Sequence, residues 1–148
     1  MTRTPGVAAS TAFPRLFSPF RIRGVEVKNR FVFQPHFNAL ADVHGMPTAD
    51  LHAYLEERAW GGAGLIVDGS MATMPEGQMS RKYVAAWDPA VIEPFRRTTE
   101  AVHAYGARIF AQLNHGGHTS LEHPPPVLWA PTQMPEPSST HTTKAMDE

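Results

Sequence analysis

Three short stretches carry side chains able to do chemistry: Gln34-Pro35-His36-Phe37, Asp68-Gly69-Ser70, and AQLNHGGHTS at 111–120. Each sets a polar donor or acceptor beside apolar neighbours, the mix that lines a pocket for a planar heteroaromatic ligand. Gln112 is the most versatile of these groups, because a primary amide donates and accepts at once and can pair with a ring amide. His115, His118 and His123, with Glu122, raise a metal site as a rival reading. Gly116-Gly117 interrupts that stretch and removes the i, i+4 helical spacing that an HExxH-type pair requires. A phosphate loop is not supported either, since the stretch holds neither GxxxxGK[ST] nor GxGxxG. WGGAG at 60–64 precedes an apolar run instead of following one, so it reads as a connection. Ser70, Ser80 and Ser120 lack the G-x-S-x-G setting of a hydrolase nucleophile. His52 and His103 fall in helical patterns as surface or boundary residues, and Met71, Met74 and Met79 read as loop packing.

The elements that must position these groups follow from patterning. Phe20-Arg21-Ile22 and Val25-Glu26-Val27 flank Arg23-Gly24 as a hairpin. RFVFQP, ended by Pro35, reads as a buried strand. Thr48 is an N-cap for a helix over ADLHAYLEERAW, with Asp50 favourable in the first turn and Gly61-Gly62 at the end. Gly64 to Val67 forms a second strand, breaking at Asp68-Gly69, and a Met-, Gly- and Pro-rich loop follows. Asp88-Pro89 starts a second helix that ends at Gly106. Pro94 inside that pattern places the first turn later or kinks the helix. ARIFAQL is the third strand. From Leu121 onward there is no periodicity, and the expectation is a long loop anchored by a Leu and a Trp.

Apolar strands alternating with amphipathic helices make an α/β fold with a covered parallel sheet. In such folds ligands bind at the C-terminal ends of the strands, which is where the three stretches lie. The 148 residues are 42% hydrophobic and 18% charged, with a formal net charge of −1 and no cysteine. That balance lacks the basic face that nucleic acid or an anionic membrane would need. The missing thiols exclude disulfides, thiolate metal sites and cysteine nucleophiles within this chain. No apolar stretch approaches the roughly 20 residues of a membrane span, so a cytoplasmic setting is the default expectation. Residues 1–14 are expected to be a disordered lead-in, and 15–148 the folded portion.

LFSPFRIRGVEVKNRFVFQPHF, then G-M-P-T…YLEERAWGGAGLIV, then WDP and AQLNHGGH resemble the N-terminal part of the Old Yellow Enzyme and 2,4-dienoyl-CoA reductase family of NADH:flavin oxidoreductases. The likeness runs from about Leu16 to Glu148, with the segments in the family's order. It implies a (β/α)8 barrel with FMN at the C-terminal mouth. NADH or NADPH is the implied reductant, and an activated alkene or related small molecule the acceptor. By position, Pro35, His36 and Phe37 would lie beside the flavin, Gly69 near its ring and Gln112 on its pyrimidine edge. His115 and His118 would sit at the pocket rim, and no metal is implied. Phe37 stands where the family often has Thr or Cys, His36 where Met is frequent, and His118 where Arg is frequent. These departures resemble the branch of dienoyl-CoA reductases and amine dehydrogenases.

A (β/α)8 barrel takes about 250 residues, so the hairpin and roughly the first three βα units are expected here. The resemblance places the catalytic residues and the flavin-phosphate loops beyond residue 148. The isolated chain is therefore expected to be inactive alone, folding marginally or with a complementary barrel fragment or as a homo-oligomer. The alternative is a non-catalytic flavin-binding or assembly module that complements another subunit.

Overall fold

The computed structural model describes residues 12–120, 128–135 and 142–147. Most of the expected lead-in, and the candidate ligands Glu122 and His123, lie outside the described residues. The hairpin forms as expected: β1 (Phe20–Ile22) pairs antiparallel with β2 (Val25–Val27). Beyond it come β3 (Val32–Phe33), α1 (Ala49–Trp60), β4 (Leu65–Ala72), β5 (Val84–Ala85), α2 (Ile92–Ala104) and β6 (Arg108–Asn114). β4 is the centre of a parallel sheet and pairs with β3, β5 and β6.

The helices form where local chemistry asks for them. The Thr48 hydroxyl accepts the Leu51 N–H and donates to the Leu40 carbonyl, closing the open end of α1. Leu51, Leu55 and Ala59, spaced by four, bury one stripe against the sheet. Asp88 caps a single 3-10 turn at Pro89–Val91 before α2 begins. α2 therefore starts later than Asp88-Pro89 alone indicates, and Pro94 falls in its first turn, where a missing N–H costs no hydrogen bond. Thr98 and Val102 of α2 join Leu51, Leu55 and Ile66 among the most deeply buried side chains. His52 of α1 bonds Thr98 across the helix pair, so it is an interhelical contact and not a free surface group.

The hairpin closes the N-terminal end of the sheet. Lys28 donates to the Tyr105 carbonyl at the end of α2 over 2.6 Å, and Arg108, opening β6, donates to the Glu26 carbonyl over 3.1 Å. The opposite, C-terminal end of the strands is left free for a site.

Three expectations need correction. β4 does not break at Asp68-Gly69; it continues to Ala72 with a register shift between Asp68 and Met71. Pairing of Met71 and Ala72 with both β5 and β6 carries the strand through a dipeptide that alone would make a turn. β3 is shorter and only half-buried, because among the described residues β4 is its sole strand partner. The tail is not all loop: β7 (Trp129–Ala130) pairs parallel with β8 (Lys144–Ala145). The Lys144 ammonium lies over the Trp129 ring, and buried Thr143 accepts the Met134 N–H. The expected anchor is real: Leu128 is buried and Trp129 half-buried.

Candidate active site at the strand ends

Three candidate residues converge: Pro35 just after β3, Gly69 within the C-terminal half of β4 and Gln112 near the end of β6. A Cβ built on Gly69 would lie 2.8 Å from Gln112 Oε1, 3.0 Å from Gln112 Cβ and 3.0 Å from Pro35 Cβ. Gly69 is thus the bottom of a narrow cradle whose sides are Pro35 after β3 and Gln112 on β6. A side chain there would crowd both walls and displace the end of the Gln112 amide. Ser70, next along β4, donates its hydroxyl to Gln112 Oε1 over 3.2 Å.

Asp68 lies immediately before the cradle and is 4% exposed. Burial pushes its carboxyl up to about 6, opposed by the Gly69 N–H and by the charge of His36. His36 turns its Nε2 to the Tyr54 hydroxyl, 2.8 Å away on α1, and packs edge-on against Phe33 and Tyr54. The Arg58 guanidinium covers the other side of this group, 3.3 Å from the Tyr54 ring centroid. Phe37 stands 44% exposed, with its ring 4.7 Å from that of buried Tyr83.

The two rim histidines part company with the cradle. His115 accepts the Gly117 N–H on Nδ1 over 3.0 Å, so the neutral ring carries its hydrogen on Nε2. Among the described residues that buried Nε2 has no hydrogen-bond partner, and the ring packs on Gly77. His115 lines a separate cavity of about 530 Å³ with Met74, Glu76, Trp129, Met146 and Asp147. His118 is exposed in the single 3-10 turn Gly117–Thr119. Among the described residues no three His, Cys, Asp or Glu side chains gather as metal ligands would.

The sequence placed Asp68 and Ser70 in a candidate stretch with Gly69, but it did not single out Tyr54. The Ser70–Gln112 contact itself has no local signal, because the partners are 42 positions apart.

An apolar groove of about 470 Å³ between Phe17, Phe31, Phe33 and Arg58 flanks β3 on the other side. It offers one cation and no acid, base or nucleophile. The cradle combines a flat floor without a side chain, a rigid proline wall and an oriented amide. The Gln112 amide, exposed beside this contact, can hydrogen-bond a ring amide in plane.

The chain resembles known proteins along nearly its whole length. It is 37% identical over 108 residues to an NADH oxidase of Thermoanaerobacter brockii, covering 72% of this chain and 17% of that protein. The old yellow enzyme homologue of Zymomonas mobilis superimposes with a TM-score of 0.81 at 28% identity, over 90% of this chain and 40% of the other. A morphinone reductase solved with tetrahydroNAD shares the fold, with a TM-score of 0.80 at 24% identity, over 90% of this chain and 41% of that one. The chain thus spans less than half the length of these relatives, and its βα units correspond to part of a (β/α)8 barrel. The model of the NADH:flavin oxidoreductase / NADH oxidase family matches residues 15–148, and the chain belongs to that family.

Proposed function

We propose that the cradle is one wall of an FMN site in an oxidoreductase that moves hydride from NADH or NADPH to a small-molecule acceptor. The observation that carries this reading is the convergence of Pro35, Gly69 and Gln112 at 2.8–3.0 Å around a missing side chain. The donor set fits the group: FMN presents a flat ring with an acceptor–donor–acceptor pyrimidine edge, and an in-plane amide complements that edge. Bound there, FMN supplies two-electron redox chemistry, taking hydride from a nicotinamide and giving it to a second molecule.

The chain's own residues bind and orient. Gly69 lets Pro35 and Gln112 approach each other closely, and Gln112 holds the polar edge of the ring. Phe37 has no donor, so it contributes a surface and excludes water without hydrogen-bonding the flavin. His36 is fixed by Tyr54 beside the site and places an imidazole at its margin. The acceptor is read as an activated alkene or a related electrophile, as in the ene- and dienoyl-CoA reductases that the chain resembles.

The wall is open on one flank. β6 pairs only with β4 among the described residues, and most of its side chains face solvent. We therefore read the chain as binding flavin weakly alone and turning over only with complementary strands. The same open flank favours a second reading, a non-catalytic flavin-binding module that docks with another subunit or a second copy.

FMN fluorescence quenching separates these from no flavin role at all. Saturable quenching by the chain, lost in Gly69→Val, is expected. Equal quenching by the valine variant would sink the cradle as the site.

A further inference from the structure

We propose that the hairpin end of the sheet is a docking face for an anionic lipid surface. This inference is independent of the flavin reading, because the face lies at the opposite end of the strands from the cradle. A near-zero net charge argues against a basic face only where the two signs are mixed, and the fold does not mix them. Residues 12–30 hold five arginines and lysines and one acid, Glu26, whereas residues 31–148 hold seven against thirteen acids. The fold gathers the first group at one end of the molecule and adds Arg108 to it.

A chain of contacts ties these cations together. The Arg108 guanidinium, at the start of β6, donates to the Glu26 carbonyl over 3.1 Å, and the Arg21 guanidinium lies 4.0 Å from the Glu26 carboxylate. Arg21 and Arg108 also line a common recess with His103. Arg30 donates to the Ser18 hydroxyl over 3.3 Å and covers the Phe20 ring, and Ser18 in turn donates to the Arg15 carbonyl. Arg15, Arg21, Arg23, Arg30 and Arg108 are all exposed. Cations so placed attract an anionic leaflet.

The neighbouring aromatic side chains select the partner. Phe13 is 63% exposed and Phe31 41%, and both adjoin these arginines along the chain. An exposed phenyl ring gains free energy by entering the boundary between headgroups and acyl chains, and basic residues beside aromatic ones are what an interfacial segment presents. Single-stranded nucleic acid wants flat ring faces on which its bases stack. Phe31 instead meets Phe17 edge-on, at 61° with 5.4 Å between centroids, and Arg30 occupies a face of Phe20. The hairpin strands are three residues each and are tied to the sheet by Lys28 and Arg108, so they do not stand out as a ribbon to enter a duplex groove. A lipid surface needs neither platform nor ribbon.

Co-sedimentation of the whole chain with vesicles tests this. Binding is expected to vesicles of mixed phosphatidylcholine and phosphatidylserine, and not to phosphatidylcholine alone. It should vanish at about 1 M salt, where the Debye length falls to about 3 Å. Arg21→Gln combined with Arg23→Gln should weaken it about 20-fold, from roughly fivefold for each cation near the surface. Phe13→Ser should weaken it several-fold with the charge unchanged. Arg96→Gln combined with Arg97→Gln removes two exposed cations from α2 and should leave it unchanged. All of these positions are exposed, so the fold tolerates the changes, as far-UV circular dichroism checks.

Equal loss in the α2 pair would show attraction by net charge and not by this face, and equal binding to phosphatidylcholine would show exposed apolar surface at work. Either result overturns the proposal. So does tighter binding to a single-stranded oligonucleotide than to the anionic vesicles, which would assign the face to nucleic acid. A Phe13 variant with undiminished binding also overturns it, leaving a purely ionic contact.

Discussion

β4 and β6 are neighbours in one sheet, similar in length and both rich in apolar residues, yet they live in different environments. β4 is buried at every position except Val67 and Ser70, which are half-buried. β6 is mostly exposed, with Phe110 at 36% and Leu113 at 64%. The difference lies in neighbours, because β4 has β3, β5 and β6 beside it and β6 has β4 alone among the described residues. The candidate site sits on the seam between them. Its floor, Gly69, comes from the strand that packing holds rigid, and its reaching amide, Gln112, comes from the strand that packing leaves open. Placing one part of a site on a buried strand and an exposed polar group on its neighbour combines fixed geometry with access.

Substitutions in the two strands should split accordingly. Ile66→Ala on β4 removes a side chain that is 0% exposed in the main apolar cluster, and it is expected to cost roughly 2–5 kcal/mol. A urea midpoint barely different from wild type would show that the β4 core does not hold the fold.

Asp68→Asn, also on β4, should reveal a cost hidden in the buried strand. Folded Asp68 keeps its proton up to about pH 6, whereas the unfolded group releases it near 3.8. The folded state binds that proton more tightly, so the group's contribution is complete below pH 3.8 and disappears as pH rises through 6. The shift, 6 − 3.8, is about two units, or roughly 3 kcal/mol at most. The asparagine variant should be more stable than wild type by roughly 1–3 kcal/mol at pH 8 and nearly equal to it at pH 4. Parallel stability–pH curves for the two proteins would contradict the buried acid.

The smallest effect belongs to β6. Leu113→Ser should change stability by no more than about 0.5 kcal/mol, because the leucine already faces water. A loss comparable to Ile66→Ala would mean that something covers β6 in solution, and analytical ultracentrifugation of both proteins would then identify self-association.

What was legible in the sequence follows the same divide between local and distant causes. α1 could be read because its cap, its buried stripe and its terminating glycines are all within a few residues of one another. The parallel sheet followed from apolar strands alternating with helices. The passage of β4 through Asp68-Gly69 could not be read, since the pairs that override the turn signal lie on β5 and β6. β7 and β8 were missed because two-residue pairings between Trp129 and Lys144 leave no periodic trace. The rule that ligands bind at strand C-terminal ends picked out Pro35, Gly69 and Gln112, and the fold brings these three together. That rule gave no access to the Ser70–Gln112, His36–Tyr54 or Phe37–Tyr83 contacts, each of which depends on a partner remote in sequence.

The most direct test of the seam as a flavin wall is a ¹⁵N-correlation spectrum of the chain titrated with FMN, which reports position even when affinity is low. Shifts concentrated at Gln34, His36, Gly69, Ser70 and the Gln112 side-chain amide are predicted, and Gly69→Val should abolish them. Shifts gathered instead around Phe17, Phe31 and Arg58 in the β3 groove, or none at saturating FMN, would contradict the account.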